Sequence, residues 1–329
     1  MKSFNEFEVT SSHNKKKWPW VNILNSNCYL TRAEWPKISI VTPSYNQAEY
    51  IEETILSIIY QNYPNLEFII IDGGSKDETL AIIKKYESYI KYWVSEPDNG
   101  QVEAILKGFK HCTGEIFNWI NSDDLLAQNA LFNIAEAYLN DSSCSLKVIT
   151  GGCTHFTNDR TNCESTFVRD LTFDGLISEQ SYFQQPSQWI ALKTIKDLNI
   201  DSNLHYSFDW GMILNLNLKS KEIKYLSINI SFFREHEEAK TFKDGLLFKY
   251  EKLIIVKEYF KKTKNLRRRV VLFHYIFKLS RYLKIVTEIE KKGKNNLITF
   301  LVFGLQSPSL FLMRFYLGRL KSLFLEKKN

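Results

Sequence analysis

Two adjacent carboxylates, Asp123 and Asp124, end a stretch at 114–124 that is otherwise rich in Ile, Phe and Trp. An apolar run of this kind predicts a buried strand. Carboxylates just past such a strand lie where open α/β sheets bind their ligands. Because neighbouring Asp side chains repel each other unless a cation neutralises them, the pair predicts a site for a hard cation, Mg²⁺ or Mn²⁺. The alternative is a solvated loop or a helix cap, where Asp is also common.

Three further strand signals precede this stretch, and each of them ends in polar or glycine-rich residues. The four polar clusters are 42–46, 72–77, 96–100 and 121–124. Helical periodicity between the strands predicts right-handed βαβ units and a largely parallel sheet. Since the carboxyl ends of parallel strands meet at one edge, we expect all four clusters to lie around one binding site.

The residue types at this edge favour a nucleotide as the ligand. Neither GxGxxG nor GxxxxGK[ST] is present there, so phosphate would depend on side chains or on a cation held by Asp123 and Asp124. The ring of Tyr45 offers a surface on which a base can stack. Asp72 can accept a hydrogen bond from an imide N–H such as that of uracil. Ordinary packing for Tyr45 and a tight turn for Asp72 are the alternatives.

The composition indicates the size of the hydrophobic core and the cellular compartment of the protein. A chain of 329 residues with 44% hydrophobic content can bury the core of one large domain with additions. Its five cysteines show no CxxC spacing, which argues against a disulfide framework or a structural zinc site and fits a reducing compartment. The N-terminus is polar, and its three lysines at 15–17 are not followed by an apolar run, so we expect no signal peptide. We therefore expect a cytoplasmic protein.

The chain divides into three parts on its sequence patterns. Residues 1–36, which lack periodicity, predict an N-terminal arm packed on the next domain through its tryptophans. The alternation of strands and helices covers 37–244. From 245 to 329 the pattern is helical and basic, with Lys and Arg far outnumbering Glu among interleaved apolar residues.

A basic amphipathic helix is typical of binding to a membrane surface, so we expect the 245–329 extension to contact a membrane. The uncharged segment 297–313 is interrupted by Pro308, which favours an interfacial or re-entrant segment over a transmembrane helix. A solvated helical appendage or an oligomer contact is the alternative. No recognition motif accompanies the basic residues, so we expect no nucleic-acid partner.

Four ordered motifs resemble those of family 2 glycosyltransferases. They are Ile40–Asn46, Ile71–Thr79, Ser95–Gln101 and Trp119–Asp124. The resemblance covers about 37–240 and implies a GT-A fold, an α/β Rossmann-like mixed and mostly parallel sheet flanked by helices. It also implies inverting transfer of a sugar from a nucleotide diphosphate sugar, usually with Mg²⁺ or Mn²⁺.

The same resemblance implies roles for individual residues on the donor side. Asn121 stands at the first acidic position of the family's DxD motif, where an amide can bond a ribose hydroxyl but is a weaker metal ligand. Asp123, helped by Asp124, is therefore the predicted metal ligand. Asp72 would bond the base, and Asp98 would face the ribose or the donor sugar. The donor-binding residues implied are Thr42, Pro43, Tyr45, Asp72, Asp98, Gln101, Lys107, Asn121 and Arg234.

The second half of the predicted site supplies a base and a further metal contact. Inversion requires one in-line displacement, with a general base that takes the proton from the acceptor hydroxyl. The resemblance places that base at Asp209, although Phe208 replaces the first member of the usual acidic pair; the alternative is a simple helix cap. The segment 233–241 resembles a loop in which His236 completes the metal shell or contacts the diphosphate and Arg234 holds phosphate. An incidentally charged surface loop is the alternative.

The resemblance thus implies an inverting, metal-dependent hexosyl- or N-acetylhexosaminyl-transferase. By the same resemblance, the donor is expected to be a UDP-sugar and the acceptor a glycan or lipid-linked acceptor in surface polysaccharide synthesis. The basic extension places the protein, as an expectation, at the inner face of the cytoplasmic membrane. Two other classes stay open. One is a nucleotidyltransferase, and the other is a degenerate, non-catalytic nucleotide-sugar-binding module. Asn121 and Phe208 favour the module, whereas Asp123, Asp124 and Asp209 argue against it.

Overall fold

The computed structural model describes residues 18–19, 26–142, 145–158, 163–178, 183–195, 200–237, 245–291 and 317. Within these residues one mixed sheet is formed by β1 (Ile38–Ser44), β2 (Leu66–Asp72), β3 (Tyr92–Ser95), β4 (Ile116–Trp119), β5 (Leu125–Leu126), β6 (Val148–Phe156), β7 (Cys163–Phe167), β8 (Gln188–Ala191) and β9 (Ile223–Arg234). The described α-helices are α1 (Ile51–Ile59), α2 (Thr79–Lys85), α3 (Gln101–Phe109), α4 (Ala130–Leu139), α5 (Phe173–Ile177), α6 (Leu192–Ile195), α7 (Phe208–Leu216), α8 (Gly245–Lys262) and α9 (Leu266–Lys291).

The first four strands are parallel, as predicted, and lie in the order β3-β2-β1-β4. Beyond β4 the sheet becomes mixed, because β8 pairs antiparallel with both β4 and β6, whereas β6 and β9 are parallel. In register, Ser44 pairs with Asp72, and Asp72 pairs with Ser95. Three of the polar clusters therefore begin at one level of the sheet, which we call the carboxyl edge. The predicted fold class is confirmed.

Both faces of the sheet are covered, since successive side chains of a strand point to opposite sides. In β1, Val41 packs on the side of α3 and α7, whereas Ile38 and Ile40 pack on the side of α1 and α4. Parallel strands buried on two faces read as nearly continuous apolar runs, which is the pattern of β1 and β2.

The described part of the N-terminal arm contacts the rest of the protein. The indole nitrogen of Trp18 donates a hydrogen bond of 2.7 Å to the backbone oxygen of Leu126. Trp35 is buried and donates to the backbone oxygen of Tyr29, which is itself buried. Trp20 lies outside the described residues. These contacts agree with an arm packed on the sheet, and its domain boundary at residue 36 stays a prediction.

The predicted helical extension begins with α8 and α9, which pack directly on the sheet domain. Ile255, Val256 and Leu272 belong to the same buried cluster as Phe117 and Trp119 of β4. The boundary predicted at residue 245 therefore does not coincide with a break in the core. None of the described helices is long and apolar enough to cross a membrane. The segment 297–313 lies outside the described residues.

Candidate active site

The carboxylate of Asp72 organises the turn that follows β2. It is fully buried and accepts hydrogen bonds from Ser95 Oγ at 2.6 Å, from the backbone amides of Gly74 and Ser75 at 3.1 and 2.9 Å, and from Ser75 Oγ. Three of these donors reach Oδ2 and one, Ser75 Oγ, reaches Oδ1, so one of the two lone pairs of Oδ1 receives no donor from these contacts. The direct contact of the buried Asp72 with a base stays a prediction.

Asp98 approaches this turn closely because residue 73 is a glycine. A Cβ atom on Gly73 would lie 3.0 Å from Asp98 Oδ2. The backbone amide of Gly100 donates to Asp98 Oδ1 at 2.9 Å. Burial raises the pKa of Asp98, and the opposing charge of Lys107 reduces that shift. Asp72 and Asp98 thus lie side by side at the carboxyl edge.

A chain of hydrogen bonds connects α3 to the residues after β4. Gln101 Nε2 donates to Asn121 Oδ1 at 2.6 Å, and Asn121 Nδ2 donates to Asp124 Oδ2 at 3.0 Å. The other oxygen of Asp124 accepts a hydrogen bond of 3.2 Å from the backbone amide of Arg234. Asn121 is therefore positioned by both of its neighbours.

Asp124 does not fit the predicted role of metal ligand. Its side chain is 1% exposed, and both oxygens already accept hydrogen bonds inside the protein. Burial raises the pKa of Asp124 well above its usual range, and the adjacent charge of Asp123 adds to this shift. The carboxyl group therefore points into the protein, where it orients Asn121 and β9.

Asp123 and His236 form the pair that fits a cation. His236 Nε2 lies 3.0 Å from Asp123 Oδ2, and the imidazole packs against the ring of Tyr50 with a centroid distance of 4.8 Å. Two neighbouring ligands of an octahedral ion with bonds of about 2.1 Å lie roughly 3.0 Å apart, so this spacing suits two protein ligands on one cation. His236 is an acceptable ligand for Mn²⁺ and a poor one for Mg²⁺.

The part of the chain that the structure describes contains no cluster of three or more His, Cys, Asp or Glu side chains suited to a metal ion. A cation held by Asp123 and His236 would need further oxygen ligands from substrate or water. Sites of this kind are common for Mg²⁺, which is often bound through one or two carboxylates together with substrate phosphates. The residues present thus fit a cation that arrives with a diphosphate.

Arg234 does not fit the predicted role of phosphate ligand. Its side chain is 4% exposed, and each of its nitrogens already donates a hydrogen bond within the protein. The acceptors are Glu53 Oε2 at 2.5 Å, Asn158 Oδ1 at 3.0 Å and the backbone oxygen of Asp123 at 2.9 Å. The guanidinium lies over the rings of Tyr50 and Phe156. Through its hydrogen bond to the backbone oxygen of Asp123, Arg234 therefore fixes the position of that residue.

The other predicted donor contacts differ in how accessible they are. Tyr45 is 60% exposed, so its ring is available for stacking. Thr42 and Pro43 are buried in β1, and Thr42 Oγ1 has no hydrogen-bond partner among the described residues. Lys107 forms ion pairs with Glu96 at 3.1 Å and Glu103 at 3.2 Å. Two carboxylates thus already balance its charge, and its contact with phosphate stays a prediction.

Asp209 lies in the first turn of α7 and accepts a hydrogen bond of 2.6 Å from the backbone amide of Trp210. Burial raises the pKa of Asp209 to about 6, against the opposing effects of that hydrogen bond and of the Lys252 charge. A base with a pKa near the working pH is well suited to proton transfer. Phe208 is buried and stacks on Trp119 with a centroid distance of 5.6 Å, so core packing accounts for its apolar character.

Three residues that support this site carry no sequence motif. Glu53 and Asn158 bind Arg234, and Glu251 of α8 binds the segment before Asp209. Glu53 occupies the first turn of a predicted helix, where an acid is ordinary, and nothing in the sequence pairs it with an arginine far along the chain.

The comparison with protein families agrees with the motifs and the topology. The model of glycosyl transferase family 2 matches residues 39–195, the segment that contains the carboxyl edge, Asp123 and Asp124. The chain carries a family 2 glycosyltransferase domain.

Relatives of this chain are found in several bacteria. An uncharacterized glycosyltransferase of Rickettsia typhi is 40% identical over 96 residues, which are 29% of this chain and 30% of that protein. An uncharacterized glycosyltransferase of Haemophilus influenzae is 26% identical over 235 residues, which are 68% of this chain and 92% of that protein. The match thus spans less than a third of the Rickettsia protein.

Two solved structures share the GT-A fold of this chain. Staphylococcus aureus TarS 1–349 in complex with UDP-GlcNAc has a TM-score of 0.57 at 19% identity, covering 73% of this chain and 71% of TarS 1–349. The mannosyltransferase PcManGT of Pyrobaculum calidifontis, in complex with GDP-Man and Mn²⁺, has a TM-score of 0.57 at 15% identity, covering 88% and 84% of the two chains. At these identities the likeness shows the fold alone.

Proposed function

We propose that this glycosyltransferase moves a sugar from a nucleotide diphosphate sugar to a hydroxyl group of a glycan or lipid-linked acceptor, with inversion at the anomeric carbon. The observation that carries this proposal is the pair of Asp123 Oδ2 and His236 Nε2, 3.0 Å apart beside the carboxyl edge. The family match and the structural relatives with bound UDP-GlcNAc and GDP-Man support a nucleotide sugar as donor. UDP-sugars are the favoured donors.

The residues of the chain divide the work in this mechanism. The exposed ring of Tyr45 stacks on the base, and Asp98 faces the ribose or the donor sugar. Asp123 and His236 would hold Mg²⁺ or Mn²⁺, with Mn²⁺ favoured by the histidine. When bound, the cation offsets the charge that builds on the departing diphosphate. Arg234 and Asp124 keep Asp123 in position.

Asp209 acts as the general base. With its pKa raised to about 6, it is ionised at neutral pH and still basic enough to take a proton from the acceptor hydroxyl as the new bond forms. A single in-line displacement inverts the anomeric carbon and requires no covalent intermediate on the protein.

Calorimetric titration tests the donor side of the proposal. The protein is titrated with UDP and with GDP, each in the presence and absence of Mn²⁺. We expect Mn²⁺-dependent binding of UDP that is lost in Asp123→Asn and kept in Glu258→Gln, an exposed acid of α8 paired only locally with Lys261. Tight GDP binding would keep the mechanism and change the donor, whereas binding of neither nucleotide would contradict the proposal.

We also propose that the enzyme works at an anionic membrane surface, on the cytoplasmic side. Helix α9 presents an exposed apolar stripe whose members recur every three or four residues on one face: Leu266, Val270, Phe273 and Phe277. The exposed basic residues Arg269, Arg281 and Lys284 lie close to this stripe. An apolar stripe bordered by cations matches the boundary between lipid headgroups and acyl chains in an anionic bilayer.

Vesicle flotation tests this surface. The protein should float with vesicles of phosphatidylcholine and phosphatidylglycerol and stay unbound with phosphatidylcholine alone. Phe273→Asp combined with Phe277→Asp should abolish flotation, while Leu30→Asp, at an equally exposed apolar residue elsewhere, should leave it unchanged. Flotation that survives the double substitution would contradict membrane docking through α9, and self-association detected by sedimentation would assign the stripe to a second copy.

A further inference from the structure

A buried glutamate of α8 holds the segment that leads into the first turn of α7. Glu251 Oε1 accepts a hydrogen bond of 2.7 Å from the backbone amide of His205. Its Oε2 accepts hydrogen bonds of 2.8 Å from the backbone amides of Tyr206 and Ser207. One carboxylate therefore binds three successive amides, the last of which is two residues before Asp209.

The surroundings of this carboxylate make the contact specific. Glu251 is 9% exposed, and a buried carboxylate is stable only when donors compensate its lost hydration. Hydrogen bonds from amides to an ionised acceptor are about twice as strong as neutral ones. A further hydrogen bond joins the same segment to α8, since Ser207 Oγ donates to the backbone oxygen of Phe248 at 3.0 Å. The segment 205–207 is thus joined to α8 at four points.

The segment also contacts the donor side of the site. A Cβ atom on Gly100 would lie 3.8 Å from His205 Nδ1, so the imidazole of His205 lies beside the loop between Asp98 and Gln101. Lys252, the next residue of α8, lies 5.1 Å above the ring of Trp210. Helix α8 therefore contacts the chain both before and after Asp209.

We propose that Glu251 is a positioning residue for the reaction, which fixes Asp209 relative to the donor by binding the three amides before it. The proposal rests on the proposed function, in which Asp209 is the general base. Glu251 lies outside the segment matched by the family model, 39–195, and outside every motif that the sequence shows. Since a base displaced by about 1 Å can cost two orders of magnitude in rate, a loss of this anchorage should reduce turnover rather than substrate binding.

Kinetics of two substitutions test the proposal. Glu251→Gln keeps one carbonyl acceptor, and Glu251→Ala keeps none. We expect kcat to fall about tenfold in Glu251→Gln and further in Glu251→Ala, while the donor KM and the affinity for UDP change by less than about twofold. Glu258→Gln on the same helix is the matched control and should leave kcat unchanged. An unchanged kcat in folded Glu251→Ala, or a parallel loss of UDP affinity, would overturn the proposal.

Hydrogen exchange separates a failure of this proposal from a failure of the proposed function. The amides of 205–207 should exchange slowly in the wild-type protein and at least about tenfold faster in Glu251→Gln, with the amides of β1 unchanged. If no nucleotide sugar is turned over by the wild type, the proposed function fails, and the exchange rates still report on the anchorage. Equal exchange at 205–207 in the two proteins would show that Glu251 does not hold this segment.

Discussion

The imidazole Nε2 of His236 lies 3.0 Å from Oδ2 of Asp123, although the two residues are 113 positions apart in the chain. The contact joins the end of β9 to the carboxyl edge of the parallel strands. In the proposed function, one nitrogen and one oxygen of this pair would hold the cation, and a diphosphate would supply further oxygens. Several measurable properties of the enzyme depend on this pair and on the residues beneath it.

Removal of the imidazole should change which metal serves the enzyme. Nitrogen ligands favour Mn²⁺ over Mg²⁺, so His236→Asn should lower the Mn²⁺-dependent rate about tenfold and affect the Mg²⁺-dependent rate less. Activity measured over a titration of each metal gives the ratio. His274→Asn, at an exposed histidine of α9, is the control. An unchanged preference in His236→Asn would exclude the imidazole from the metal shell.

Arg234 should matter more for folding than for donor binding. In Arg234→Gln the carboxylate of Glu53, whose side chain is 13% exposed, loses its ion pair with Arg234, and the loss of one partner of a largely buried pair typically costs about 3–5 kcal/mol. Chemical denaturation should show a loss of that order. Arg32→Gln is the control, because Arg32 pairs with Glu136 at an exposed site, where such pairs contribute about 0–1 kcal/mol. Equal, small losses in both variants would contradict the structural role.

Turnover should depend on pH through Asp209. Because burial raises the pKa of Asp209 to about 6, the base is protonated and inactive below that pH and active above it. The charge of Glu251 adds to this shift, and that of Lys252 opposes it. We expect kcat to rise with pH to a plateau, with a midpoint near the pKa, and Asp209→Asn to remove the acid limb along with most activity. A flat profile from acid to neutral pH would exclude Asp209 as the base.

The ionised form of Asp209, which favours turnover, should lower the stability of the fold. A carboxyl whose pKa is higher in the folded state than in the unfolded chain contributes stability at low pH and loses it as pH rises through about 6. Asp209→Asn should therefore stabilise the fold at neutral pH by roughly 2 kcal/mol and have little effect at pH values below the pKa of an unfolded Asp. Unfolding free energies at acidic and neutral pH give this difference. A destabilised variant at neutral pH would contradict the burial of charge at this position.

A methyl group at residue 73 should disturb Asp98. Its Cβ would lie 3.0 Å from the Asp98 carboxylate, which must then move away from the turn after β2. Gly73→Ala should raise the donor KM about tenfold with a smaller change in kcat, since the contact serves binding. Gly245→Ala is the control, because a Cβ there has no heavy atom within 4 Å. A donor KM equal to that of the wild type would show that Asp98 does not contact the donor.

The strand ends were predictable from the sequence because local signals define them. The strands β1, β2 and β4 are apolar runs followed at once by Thr42, Asp72 or Asn121, and parallel pairing then brings these residues to one edge. The family resemblance added Asp209 and His236, whose order along the chain matches known motifs. Local pattern and motif order therefore sufficed for the fold, whereas the roles of Asp209 and His236 stay predictions.

The inward-facing residues were not predictable in the same way. Asp124 and Arg234 are 110 positions apart, and only the paired strands β5 and β9 bring them together. Their sequence positions suggest charged side chains that contact a ligand. In the structure both are buried, and the backbone amide of Arg234 donates to the carboxylate of Asp124. Glu251 was not predictable either, because its helix is a mixture of charged and apolar residues without a motif.

Asn121 gives the hydrogen-bond chain across the site a direction. An amide can accept from Gln101 with its oxygen and donate to Asp124 with its nitrogen, and the structure uses both capacities. A carboxylate at 121, as in the usual form of the motif, would have only acceptors to offer, so its contact with Asp124 would lack a donor unless one of the two groups were protonated. The amide of Asn121 makes this contact without a proton on either partner, which ties the arrangement of donors and acceptors in this protein to the residue that departs from the common motif.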